Sequence, residues 1–108
     1  MLKFVIIALA AVASLAHAQG LEKYNFKYAG EGQKNILPVQ VFDDGSQTIF
    51  QFKQGQRIPA IFVEQNGGWN LVTPHEDGAY YYIPRISSSY KLKIGYSEAT
   101  IKYLGSDR

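Results

Sequence analysis

His75, between Pro74 and Glu76, is the histidine that stands among the strands and turns of the chain, while His17 sits in its apolar opening. A carboxylate beside an imidazole is half of an acid–base pair, but it works only with an oriented nucleophile in a concave site, and no such partner stands at a recognisable spacing. The adjacent pairs Asp43 with Asp44 and Glu76 with Asp77 invite readings as hydrolase carboxylates or calcium ligands. Neighbours on an extended chain point to opposite faces, and no further carboxylates follow at loop-ligand spacing, so a role in turns is expected instead. Gly30 and Gly32 lack the lysine and hydroxyl residue of a phosphate-cradling loop. The chain has no cysteine, which excludes thiol nucleophiles, disulfides and cysteine-built metal sites. The expectation is therefore no catalytic residue, no metal and no cofactor.

Nucleic acid is a further candidate ligand, because lysines and tyrosines interleave at residues 23–28 and 90–96. Exposed aromatics can stack bases while lysines meet phosphates. Yet 11 basic residues against 9 acidic ones is too small an excess for a nucleic-acid surface. The same alternation arises when aromatics face a core and lysines face water. No direct nucleic-acid binding is expected.

The first residues read as a processing segment. Lys3 supplies a positive start, residues 4–13 are an unbroken apolar run, and Ala16, His17 and Ala18 form a small-x-small cleavage pattern. The run is short for a membrane span, which takes roughly 17–25 apolar residues. The reading divides the chain into a signal peptide at 1–18, cut after Ala18, and a single exported domain at 19–108. Loss of Lys3 lowers the formal net charge from +2 to about +1. No cysteine follows the run to carry a lipid, so attachment to a membrane is expected only through a partner.

Period-two patterning dominates residues 24–103. Tyr24, Phe26 and Tyr28 alternate with Asn25 and Lys27, as a half-buried strand requires. Residues 29–35, with Gly30 and Gly32, read as a loop, and residues 74–78 as a polar turn. Residues 36–42 and 48–52 flank Asp43, Asp44 and Gly45 as a hairpin, and residues 58–73 make a second hairpin around Asn66, Gly67 and Gly68. Strands are further expected at 79–83, 90–94 and 99–103. Phe42, Phe50, Phe62, Trp69 and Leu92 are the expected core. Pro59, Gly67 and Gly95 join the Asp43–Asp44–Gly45 turn as structural positions. With no amphipathic helix of length, the expected fold is all-β, a small antiparallel β-sandwich or partly open barrel.

What chemistry does not explain, binding can. Tyrosine offers rigid area and a hydroxyl that stays hydrated, and it is enriched at interfaces. Tyr80, Tyr81 and Tyr82 are consecutive, so at least one points away from the core. Together with Tyr24, Phe26 and Tyr28 they are the candidate partner-binding residues. Open strand edges offer a second route to a partner. The competing class is a periplasmic carbohydrate-binding module or small hydrolase, in which Asp43, Asp44 or His75 would converge in a pocket beside the aromatics.

Pro38, Val41, Phe42, Asp43, Asp44 and Gly45, then Thr48 and Phe52, then Pro59, Ala60, Ile61 and Phe62 resemble the opening of the C-terminal domain of the VirB9/TrbG/CagX proteins of type IV secretion and conjugation systems. The likeness continues through Tyr82, Ile83, Arg85, Tyr90, Leu92 and Gly95. It implies a small periplasmic β-sandwich in an outer-membrane core complex, without catalytic role. It further implies a hetero-oligomer in which the domain binds a small outer-membrane lipoprotein and packs beside a channel-forming subunit. Such proteins usually carry another β-rich domain ahead of this one, whereas here the leader runs almost directly into Tyr24.

Overall fold

The computed structural model describes residues 4–6 and 23–106. The expected cleavage point after Ala18 lies outside the described residues. Among the described residues, ten strands form two antiparallel sheets. The large sheet has the order β1 (Phe4–Ile6), β2 (Tyr28–Gly32), β10 (Ser97–Tyr103), β9 (Ser89–Ile94), β5 (Ala60–Gln65), β6 (Gly68–Val72). The small sheet has the order β3 (Gln40–Asp43), β4 (Thr48–Gln51), β8 (Tyr80–Ile83), β7 (His75–Asp77). The two sheets share no strand, so the architecture is a sandwich rather than a barrel. β1 pairs only with β2, so cleavage after Ala18 would remove it and leave β2 as the edge.

Alternation explains the core. On the large sheet Tyr28, Ile61, Val63, Tyr90, Leu92, Ala99 and Ile101 are buried, and on the small sheet Val41, Phe50, Phe52 and Ile83 meet them. Phe50 packs edge-on against Tyr90 with ring centroids 5.5 Å apart, and Tyr28 lies 6.2 Å from Tyr90. These rings tie the layers together in a chain too small to bury a large aliphatic core.

Two of the five expected core residues, Phe50 and Leu92, are buried, whereas Phe42 and Phe62 are half-buried and Trp69 is 41% exposed. Phe62 alternates with buried Ile61 and Val63, and Phe42 with buried Val41 and Asp43, so each takes the outer face of its sheet. Trp69 sits on edge strand β6 with the Lys91 ammonium 4.6 Å above its ring. Residues 29–32, expected as loop, are strand. Gly32, at φ 119°, has room for no side chain, because a Cβ would lie 2.7 Å from the Ala99 Cα. The expected polar turn at residues 74–78 contains β7, whose ladder to β8 needs only backbone groups. The second hairpin turns at Asn66 and Gly67, both with positive φ, between paired Gln65 and Gly68.

The segment before β2 joins the sheets. Asn25 exchanges two backbone hydrogen bonds with Asp43, extending the small sheet beyond β3. A tight turn then closes from the Tyr28 N–H to the Phe26 carbonyl at 2.8 Å, and the chain enters the large sheet. That turn breaks the period-two register, so Tyr24 and Phe26 stay outside the sandwich while Tyr28 is 1% exposed in its core. The Tyr28 hydroxyl donates to Asp43 Oδ2, which is itself buried. Tyr28→Phe removes that donor from a buried carboxylate and is expected to cost about 1–3 kcal/mol. A urea midpoint within error of the parent chain would refute this.

Candidate functional site

The small sheet carries apolar side chains on both faces. Register places Phe42, Ile49, Tyr82 and His75 in one row across β3, β4, β8 and β7, on the face turned away from the large sheet. Gln40, Gln51, Tyr80 and Asp77 form the next row. Tyr24 and Phe26 flank this surface. Phe26 stacks on Phe42 at 4.9 Å and Tyr24 meets the same ring edge-on at 5.5 Å. Ile49, though on an outer face, is only 2% exposed, whereas Tyr24 is 39% exposed. The result is a consolidated aromatic surface rather than scattered tyrosines, with each ring pair contributing about 0.5–1.5 kcal/mol beyond buried area.

Of the six candidate partner-binding residues, Tyr24, Phe26, Tyr80 and Tyr82 fall on this face. Tyr28 does not, being in the core. Tyr81 alternates inward, lies 5.5 Å from Phe52, and donates to Glu76 Oε2 at 3.3 Å. Burial pushes the Tyr82 hydroxyl above its ordinary range, and the charge of Asp77 adds to this, followed by Tyr80, Tyr24 and Asp44. Tyr82 therefore stays a neutral hydrogen-bond donor under any physiological condition. Gln40 Nε2 donates to Gln51 Oε1 at 2.9 Å, whereas Gln40 Oε1 is buried without a hydrogen-bond partner.

Phe42 and Ile49 belong to this face although residue type alone does not mark them as outward-facing. Their signal in the sequence is the adjacent apolar pairs Val41–Phe42 and Ile49–Phe50, which oblige one member of each to face outward.

The groups that suggested chemistry do not converge. Asp43 Oδ1 accepts from the Gly45 N–H at 3.0 Å, and Asp44 Oδ1 accepts from the N–H groups of Ser46 and Gln47 at 2.9 Å each. Burial works to raise the Asp44 carboxyl, but the N–H donors of Gln47 and Ser46 outweigh it and hold the group below its usual range. A folded value below the unfolded one contributes stability above the ordinary carboxylate range, lost as the pH falls through the folded value. His75 packs against Tyr82 at 6.3 Å. The hollow it lines, of about 370 Å³, includes Asp77 and Gln47 but neither Asp43 nor Asp44. Among the described residues no three His, Cys, Asp or Glu side chains are grouped to hold a metal ion. No helix among them is long and apolar enough to cross a membrane.

Comparison with known proteins gives this surface its context. Residues 3–103 match the CagX family model, described as a conjugal transfer protein. Protein virB9 of Agrobacterium fabrum is 34% identical over 79 residues, covering 72% of this chain and 27% of that protein. The type IV secretion system protein PtlF of Bordetella pertussis is 36% identical over 77 residues, covering 68% of this chain and 28% of the relative. Type IV secretion system protein virB9 of Bartonella quintana is 32% identical over 72 residues, covering 66% and 25%. The chain thus spans about a quarter of the length of the curated relatives it matches.

Proposed function

The chain belongs to the VirB9/CagX/PtlF family of type IV secretion and conjugation proteins, and from that premise we propose that it is a structural piece of an outer-membrane core complex, acting in the periplasm through protein contacts. Its partners in this reading are a small outer-membrane lipoprotein and a channel-forming subunit. In this reading residues 1–18 serve as an export leader, and association with the outer membrane is indirect, through the lipoprotein. The observation that carries the reading is the aromatic outer face of the small sheet, whose nearby aspartates are committed to backbone turns instead of a reacting centre. A surface of rigid rings with hydroxyl tips suits a protein partner.

The test is recovery of complexes from solubilised envelopes. Tyr24→Ser with Tyr82→Ser removes two outward rings and leaves the inner face intact. Co-purification of the lipoprotein and channel subunit should fall about tenfold or more, while the isolated chain stays folded, with its urea midpoint lowered only by the lost ring contacts. Unchanged recovery would show that another surface docks the partner. Recovery of neither subunit with the unaltered chain would overturn the assignment to this complex.

A further inference from the structure

At one end of the sandwich a cleft of about 770 Å³ opens between residues 34–39 and residues 53–57, bounded also by Ile94. We propose that this cleft binds an extended acidic peptide segment, interspersed with apolar side chains, from a partner protein. The site shares no residue with the outer face of the small sheet, so binding here and capture there succeed or fail independently.

Charge is the first argument. Lys34 on one wall and Lys53 and Arg57 on the other are exposed, and none of the described lining residues is acidic. Among the described residues no carboxylate forms an ion pair with any of the three. Cations gathered on both walls of a concavity, with no internal counter-charge, focus a positive potential into it and attract an anionic ligand.

The floor supplies the second argument. Ile36 and Leu37 are buried and hold the cleft from beneath, and the apolar surface it offers a ligand comes from half-buried Val39 and Ile94. The walls are also fixed to one another. Gln56 Nε2 donates to the Leu37 carbonyl at 3.0 Å and the Asn35 carbonyl at 3.4 Å, while Gln56 Oε1 accepts from the Lys53 N–H at 3.1 Å. A preformed cleft orders less of itself on binding. Its cations come from two separate segments of the chain, which suits carboxylates spaced along a peptide better than a single small anion.

The experiment titrates a labelled peptide alternating aspartate and valine against the full chain by fluorescence anisotropy at low salt. Binding is expected, weakening as salt rises, with amide shifts concentrated at Leu37, Gly55 and Ile94. Lys53→Glu with Arg57→Glu should lower the affinity about tenfold or more, and Lys34→Gln on the opposite wall should lower it less, with the loop itself unaltered. Lys93→Glu, at an exposed position outside the cleft, should leave it unchanged. The proposal is overturned if Lys93→Glu weakens binding as much as the double variant, since net charge alone would then be at work. It is equally overturned if inorganic phosphate or anionic lipid vesicles displace the peptide at matched charge. Self-association of the chain that the double variant abolishes would make a second copy the occupant and would overturn it too.

Discussion

Phe50→Ala should bring the domain to the edge of unfolding. The ring is fully buried, 5.5 Å from Tyr90 across the sandwich and 6.2 Å from Phe52, just beyond the end of its strand. Truncating a buried phenylalanine costs about 3–5 kcal/mol, through lost transfer energy and a cavity that rigid neighbours cannot fill. A domain has roughly 5–15 kcal/mol in total, and one this small lies toward the lower end. With a urea slope of about 1.5 kcal/mol/M, the midpoint should fall by roughly 2 M or more. Phe42→Ala serves as the comparison, because its ring is half-buried on the outer face and its removal leaves the interlayer contacts intact. Equal losses from the two variants would mean that the layers are not held at Phe50.

Gly32→Ala is expected to be nearly as damaging, though it adds a single carbon. The new Cβ would stand 2.7 Å from both the Ala99 Cα and the Glu98 carbonyl oxygen, which are backbone atoms of a central strand and cannot swing aside. The φ of 119° compounds the overlap, since side-chain-bearing residues are strained there. Overpacking and backbone strain together amount to about 3 kcal/mol or more. Hydrogen exchange should localise the damage, with the Gln33 amide, which donates to Glu98 at 3.2 Å, losing protection first. Gly67→Ala, also at positive φ but facing open space, should cost only about 1 kcal/mol. Equal effects at the two glycines would remove close approach as the cause.

Period two makes most strands legible: Ile61 and Val63 against Phe62, or Leu92 against Lys91 and Lys93, can be separated by reading the chain. Alternation does not say which of two apolar sets faces inward, and that is why patterning alone places Phe62, Phe42 and Trp69 inside. The answer depends on which strands end up opposite one another, a property of the whole topology. Within residues 23–106 two strands escape because their residues argue for something else. β2 contains two glycines, one of which, Gly32, lies against the backbone of β10, and β7 consists of His75, Glu76 and Asp77, an edge held by its ladder alone. The candidate docking face is half visible. Tyr24, Phe26, Tyr80 and Tyr82 stand out by type, whereas the exclusion of Tyr28 depends on the tight turn at Lys27, which no pattern of polarity announces.

The place of β10 has a bearing on how the chain reaches this structure. The last of the ten strands is not an edge: it lies between β2 and β9, pairing with residues 28–32 from near the start of the domain. Contacts so distant along the chain close slowly, because the entropy of the intervening loop is lost before they form. A ribosome-bound chain lacking residues 97–103 therefore has every strand of the small sheet but leaves β2 and β9 without the partner they share in the larger one. The larger sheet thus closes only when the last strand to be synthesised inserts between two that precede it.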